Sequence, residues 1–262
     1  MLALIAGQGR LPTLVAEAFD GPHTIAALDG FAPDKLTSDH VFRIEKLGSF
    51  LAEMTQAGVT EVCFAGSIQR PPLDPSLVDS ATMPLVPRMM QALQQGDDAA
   101  LRTVIAFFEE AGLTVRAAHD LVPGLLPEKG VLTQTQPGLQ HKSDAARAQA
   151  IVAAMGAEDI GQACVVQNGQ ALAVECSFGT EWMLASLVHR PKGTGGVLFK
   201  APKPTQDRRI DLPAIGPDTV EQSKKAGLEG IIVEAGGVMV LDRQATIEAA
   251  DRHSMFLWVH SS

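Results

Sequence analysis

This 262-residue chain has few cysteines: Cys63, Cys164 and Cys176, with no C-x-x-C spacing among them. An odd, scattered set inside apolar runs excludes a disulfide framework, and small reduced core residues are expected instead. Basic residues are also in deficit. Lys and Arg total 21 against 30 Asp and Glu, a formal net charge of -9. A general nucleic-acid binder, or a protein held to anionic lipid by charge, needs the opposite balance, because cations displace the counterions of a polyanion. No apolar run approaches the roughly 20 residues that cross a bilayer. The opening MLALIAGQGR has no basic segment before its apolar run and reaches glycine at Gly7, so no signal peptide is expected. These absences together predict a cytoplasmic protein, at most peripheral to a membrane. His23, His40, His119, His141, His189, His253 and His260 are scattered without metal-ligand spacing, and no G-x-S-x-G occurs. Zinc-centred and serine-nucleophile chemistry are therefore not expected.

The pattern of apolar residues predicts two domains. Short apolar runs, LALIAG, HTIAALDG, EVCFAG and LTVRAAH, alternate with helical patterns such as LGSFLAEMTQAG and GDDAALRTVIAFFEEAG. Strand, helix, strand in this order implies a parallel sheet covered on both faces. From about Pro123 to Ser143 prolines and glycines break the period, which marks a boundary. The second half opens on a helix from Asp144 to Met155. It continues with ACVVQNGQALAVE, a hairpin signal around Asn168-Gly169, and with GIIVEAGGVMVLD, two strands around Gly236-Gly237. The fold class expected is α/β: a Rossmann-like domain over 1–128, a linker over 129–142 and an α+β domain with a mixed sheet over 143–262.

The densest chemistry lies in KAPKPTQDRRIDLPAIG, residues 200–216, where Lys200, Lys203, Arg208 and Arg209 stand beside Asp207 and Asp211. Pro202 and Pro204 keep its first half extended, so charges are held on a stiff loop. Such a loop suits a polyanion, with carboxylates for a metal or a water; a surface loop with internal ion pairs is the alternative use. AGQGRLP places Gly7 and Gly9 between a strand and a helix, with Asp29 closing the next strand. That is the layout of a dinucleotide turn, although Pro12 stands where the third glycine of G-x-G-x-x-G belongs. Asp97 and Asp98 open a helix, as caps or as ligands of a hydroxyl or metal. Arg70 follows a strand at the end where open α/β sheets bind ligands. In VECSFGTEWML, Glu175 at a strand end and Glu181 in a first helical turn flank Gly179-Thr180; both acids are candidates for a metal bridging phosphate oxygens, and Glu181 equally for dipole matching. PLVPRMMQAL is either an amphipathic core helix or an apolar wall.

Taken in order, LIAGQGRLP, AGSIQRP, GDDAALR, DIGQACVVQNGQALAVE, FGTEWML, KAPKPTQDRRIDLPAIGPDTV, AGLEGIIVEAGGVMVLD and AADRHSMFLW resemble the LpxI-type UDP-2,3-diacylglucosamine pyrophosphatases of Gram-negative lipid A synthesis. The resemblance covers nearly the whole chain. One departure is Glu181, where the family usually has Asp; the charge is kept on an arm one methylene longer. The resemblance implies a two-domain, homodimeric enzyme in which water attacks the α-phosphorus of UDP-2,3-diacylglucosamine, giving UMP and 2,3-diacylglucosamine 1-phosphate (lipid X). It also implies a divalent cation, normally Mg²⁺, substrate between the domains and transient contact with the inner membrane. On that basis Lys200, Lys203, Arg208 and Arg209 are assigned to the diphosphate. Asp211 and Asp207 are assigned to catalysis or metal, with Glu175 and Glu181 as further metal candidates. Gly7, Gly9, Arg70, Asp97, Asp98, Gly179, Thr180 and Gln206 are assigned to substrate. Two other readings stay open: an NAD(P)-dependent oxidoreductase built on the N-terminal glycine turn, and a non-catalytic sugar-nucleotide-binding protein.

Overall fold

The computed structural model describes residues 1–68, 71–94, 97–191, 193–204 and 206–261, with backbone alone at Asp97 and Asp98. The chain divides into two units, Met1–Pro123 with Asp207–Ile210 and Gly124–Gln206 with Asp211–Ser262.

The first unit runs β1 (Leu2–Ala6), α1 (Leu11–Ala18), β2 (His23–Leu28), β3 (His40–Phe42), α2 (Leu47–Gln56), β4 (Glu61–Ala65), α3 (Val86–Leu93), α4 (Asp97–Glu110), β5 (Thr114–Arg116) and α5 (Ala118–Leu121). All residues of β1 are buried, as a central strand covered on both faces requires. The strands are parallel in the order β3-β2-β1-β4-β5. The chain leaves β1 toward β2 and then returns to β1's other side at β4, so the carboxyl ends of β1 and β4 form the topological switch point. In α2, Leu47, Phe50, Leu51 and Met54 recur at helical spacing and are buried against Phe107 and Phe108 of α4 and Ile5 of β1. Ile210 packs on the same cluster, which ties the 207–210 segment to this unit. Helix α3 buries Met89 and leaves Met90 exposed, an amphipathic helix.

The second unit runs β6 (Gly130–Val131), α6 (Leu139–Ala157), β7 (Ala163–Gln167), β8 (Gln170–Val174), α7 (Gly179–Ser186), β9 (Val197–Lys200), β10 (Ala214–Ile215), α8 (Pro217–Lys225), β11 (Gly230–Glu234), β12 (Met239–Val240), α9 (Arg243–Arg252) and β13 (Phe256–His260). Its main sheet has the order β6-β13-β11-β9-β7-β8. The pairs of β11 with β9 and β13 are parallel, and those of β7 with β8 and β9 and of β6 with β13 are antiparallel, so the sheet is mixed. One face packs Ala145, Ala148 and Val152 of α6 on Phe199 and Ile232; the other packs Met183 and Leu184 of α7 and Ala249 and Ala250 of α9 on Leu198 and Ile231. Asn168 and Gly169 take φ of 51° and 77°, the left-handed pair that a tight two-residue hairpin demands.

Some local expectations change. The two strands expected around Gly236-Gly237 are β11 and β12, and β12 pairs in parallel with β10 in a separate two-stranded sheet. Helix α6 starts at Leu139 rather than Asp144, and the stretch 129–142 also holds β6. Cys63 and Cys164 are buried, and desolvation pushes each thiol up to about 12; Cys176 is half-buried. No described helix is long and apolar enough to cross a membrane.

Candidate functional site

In the second unit the polar site is built where β7, β8 and β9 run side by side. Lys200, the last residue of β9, pairs across to Ala163 of β7, and the Glu175 backbone N–H donates to the Ala163 carbonyl from the other side at 2.8 Å. The rigid sheet thus sets both charged residues about one β7 residue. Gly161 allows this closeness: a Cβ there would fall 2.4 Å from the Glu175 carbonyl oxygen. After β8 the chain turns into α7 through Gly179, whose φ of +80° favours glycine. That turn delivers Thr180, which joins the two charges. The Lys200 ammonium donates to Thr180 Oγ1 at 2.8 Å, and the Thr180 hydroxyl donates to Glu175 Oε2. Glu175 and Lys200 are both buried, and burial depresses the Lys200 pKa below the ordinary lysine range, opposed by the negative charge of Glu175. Glu181 lies exposed in the first turn of α7.

Beyond β9 the loop is braced by Gln206. Its Oε1 accepts from the Lys203 N–H at 2.8 Å, while its Nε2 donates to Gln162 Oε1 and to Asp211 Oδ2, both at 3.0 Å. Asp211 is therefore held by an amide at one carboxylate oxygen. Lys203 Nζ sits 2.5 Å from Oδ1 of Asp159, in the turn just after α6. The charge of this lysine is thereby met within the protein.

Asp207, Arg208 and Arg209 belong to the first unit. The Arg209 guanidinium meets Asp207 at 2.7 Å and Glu109 at 2.6 Å. These bonds, Asp207 first, raise the Arg209 pKa, and the Arg209 side chain in turn holds the Asp207 carboxyl below the ordinary aspartate value. Asp207 and Arg209 thus form an internal pair, with both Asp207 oxygens engaged.

At the switch point of the first unit, Gly7 lies so close to the chain after β4 that a Cβ would fall 2.5 Å from the Ser67 carbonyl oxygen. The amides of the turn already have acceptors: Gly7 N–H donates to Ala65 O at 2.8 Å, Gln8 N–H to Ser67 O at 2.9 Å and Gly9 N–H to Asp34 Oδ2 at 2.9 Å. Asp29, the candidate ribose acid, pairs with Arg43 at 2.9 Å. A dinucleotide turn presents its amides to a pyrophosphate. Here the amides close the turn onto β4 and a carboxylate, so the NAD(P) reading finds no support. The backbone of Asp97 and Asp98 starts α4; Arg70 lies outside the described residues.

Of the sequence candidates, the second unit brings Glu175, Thr180 and Lys200 into one chain of hydrogen bonds, and Lys203, Gln206 and Asp211 into another. Asp159, Gln162 and Glu109 went unnoticed in the sequence, yet they hold Lys203, Gln206 and Arg209. Asp159 and Gln162 stand in DIGQ, just before β7, where polar residues flank a glycine. Among the described residues no group of three His, Cys, Asp or Glu forms a metal cluster. Mg²⁺ asks for less, typically one or two carboxylates with phosphate oxygens and water. The Asp211 carboxylate, beside the Gln206 amide, is an oxygen donor of that kind.

A parallel-sheet unit followed by a mixed-sheet unit, in which a threonine hydroxyl joins a buried lysine to a buried carboxylate, defines a two-unit α/β protein. The chain belongs to the LpxI family: residues 1–125 match the model of the LpxI N-terminal domain and residues 128–258 that of the LpxI C-terminal domain. It is also 36% identical over 269 aligned residues, 98% of this chain and 96% of the relative, to the UDP-2,3-diacylglucosamine pyrophosphatase LpxI of Caulobacter vibrioides.

Proposed function

We propose that the protein is a hydrolase that cleaves the diphosphate of UDP-2,3-diacylglucosamine in lipid A synthesis. The observation that carries this is the full-length likeness to a pyrophosphatase of that name, combined with a buried lysine and an amide-held aspartate in the segment that carries the family resemblance. Water attacks the α-phosphorus, the bond from that phosphorus to the bridging oxygen breaks, and the leaving group departs as 2,3-diacylglucosamine 1-phosphate. The water oxygen stays with UMP. A diphosphate resists this because its anionic oxygens repel the nucleophile, so the site must supply positive charge and orient a water.

The residues divide that work. Lys200 supplies a cation in a water-poor setting, where its charge acts on phosphate oxygens with little screening. Asp211 is the acid assigned to metal or water; its bond from Gln206 fixes it in place. Asp207, tied through both oxygens to Arg209, keeps its charge and holds the loop. Mg²⁺, held by Asp211, would neutralise the phosphate oxygens when bound.

The test is UMP release from UDP-2,3-diacylglucosamine with Mg²⁺, with and without EDTA. Wild type should turn over and EDTA should abolish it. Asp211→Ala should lose at least about a hundredfold in kcat, in the range of removing one electrostatic group from a site. Turnover by Asp211→Ala within tenfold of wild type would remove that acid from its role, and an inactive wild type would sink the hydrolase reading.

A further inference from the structure

We infer that Thr180 is a positioning residue, which acts through Lys200 by fixing its ammonium for the phosphate oxygens. The inference rests on the hydrolase reading above. A threonine hydroxyl carries one proton and two lone pairs. Its proton goes to Glu175, so its lone pairs face Lys200, and the order carboxylate, hydroxyl, ammonium is set by the donor inventory. The ends of the chain cannot drift, because Glu175 and Lys200 are both registered on Ala163 in the sheet. The middle is stiff as well, since threonine is branched at Cβ and Thr180 follows Gly179 into the first turn of α7.

Lys200 has an exposure of 7%, and Thr180 accounts for one of its three ammonium protons. The Glu175 charge also acts on this ammonium, and the hydrolase reading assigns its remaining protons to phosphate oxygens. A lysine stem is otherwise flexible, with free rotation about a four-carbon chain, so the acceptor that meets its tip decides where those protons point. Thr180 is that acceptor.

The test compares Thr180→Val, Thr180→Ser, Lys200→Met and the double variant Thr180→Val/Lys200→Met in the full chain, with thermal melting of each. Valine keeps the shape and removes the hydroxyl; serine keeps the hydroxyl. In UMP release, Thr180→Val should lower kcat roughly tenfold to a hundredfold with KM within about threefold, because the lost interaction belongs to the transition state. Thr180→Ser should recover kcat to within about fivefold of wild type, and Thr180→Val should add no more than about twofold in the Lys200→Met background. The inference is overturned if Thr180→Val turns over within twofold of wild type, if serine is as impaired as valine, or if valine costs the same factor with and without Lys200. A purely structural role would lower the melting temperature in step with activity and show no serine rescue. If Thr180→Val fails to fold, Thr180→Ala carries the same comparison. A readout independent of turnover is the Nζ–H signal of Lys200 in lysine-selective ¹⁵N NMR, assigned with Lys200→Met. It should persist in Thr180→Ser and broaden or vanish in Thr180→Val; an unchanged signal in Thr180→Val overturns the inference. An inactive wild type would count against the reaction, while the NMR comparison would still decide the contact.

Discussion

At the scale of single residues, the charges of the 200–211 loop differ in their surroundings although the sequence presents them as one cluster. Lys200 is buried against a hydroxyl, Lys203 is paired with Asp159, and Arg209 bridges Asp207 and Glu109. The residue types and the stiffening prolines were legible in the sequence. The partners were not, because Asp159 and Glu109 come from distant segments that folding brings to the loop. The Asp207 pair yields a prediction about acid stability. Its folded pKa is depressed from 3.8, so its contribution is present above that value and is lost as pH falls through the lower folded pKa. Asp207→Asn should therefore lower stability by about 1 kcal/mol or less near neutral pH, a small figure because Arg209 is 43% exposed. The gap in melting temperature between the two proteins should shrink below about pH 4. A gap that widens on acidification would contradict the pairing.

Among the elements, the β7–β8 hairpin shows how a buried acid sets local structure. Asp144, with 1% exposure on α6, accepts the backbone N–H groups of Asn168 at 3.0 Å and Gly169 at 2.7 Å. Asn-Gly alone marked the turn in the sequence; the acid that latches it stands on the preceding helix. Asp144→Ala would leave two backbone donors without their acceptor, at a cost of roughly 2–4 kcal/mol. Urea unfolding should show that loss in the midpoint, and a change under about 0.5 kcal/mol would mean that the latch is dispensable. Helix boundaries were less readable than helices. Leu139 is 85% exposed and the next residues are polar, so the first turn of α6 carries no apolar period, and Gly138 before it reads as a break. Likewise, two apolar runs around Gly236-Gly237 marked β11 and β12, but not that the partner of β12 is β10. Strand pairing is a tertiary choice that local pattern does not encode.

Across the whole molecule, the alternation of buried runs and helices made the parallel sheet of the first unit readable, and the hairpin signal pointed to the mixed sheet of the second. The assignment of Asp207–Ile210 to the first unit was not readable, since it depends on Ile210 in that core and on Arg209 against Glu109. The glycine turn shows the opposite limit. Its pattern suggested a nucleotide site, but the bonds of Gly7, Gln8 and Gly9 show those amides closing the turn itself. The chemistry proposed for the chain therefore rests on the carboxyl end of β9 and the loop after it. Hydrolysis of UDP-2,3-diacylglucosamine in ¹⁸O-labelled water, followed by mass spectrometry of both products, tests that chemistry most directly. Attack at the α-phosphorus predicts one ¹⁸O in UMP and none in 2,3-diacylglucosamine 1-phosphate; label in the lipid product, or no cleavage at all, would contradict it.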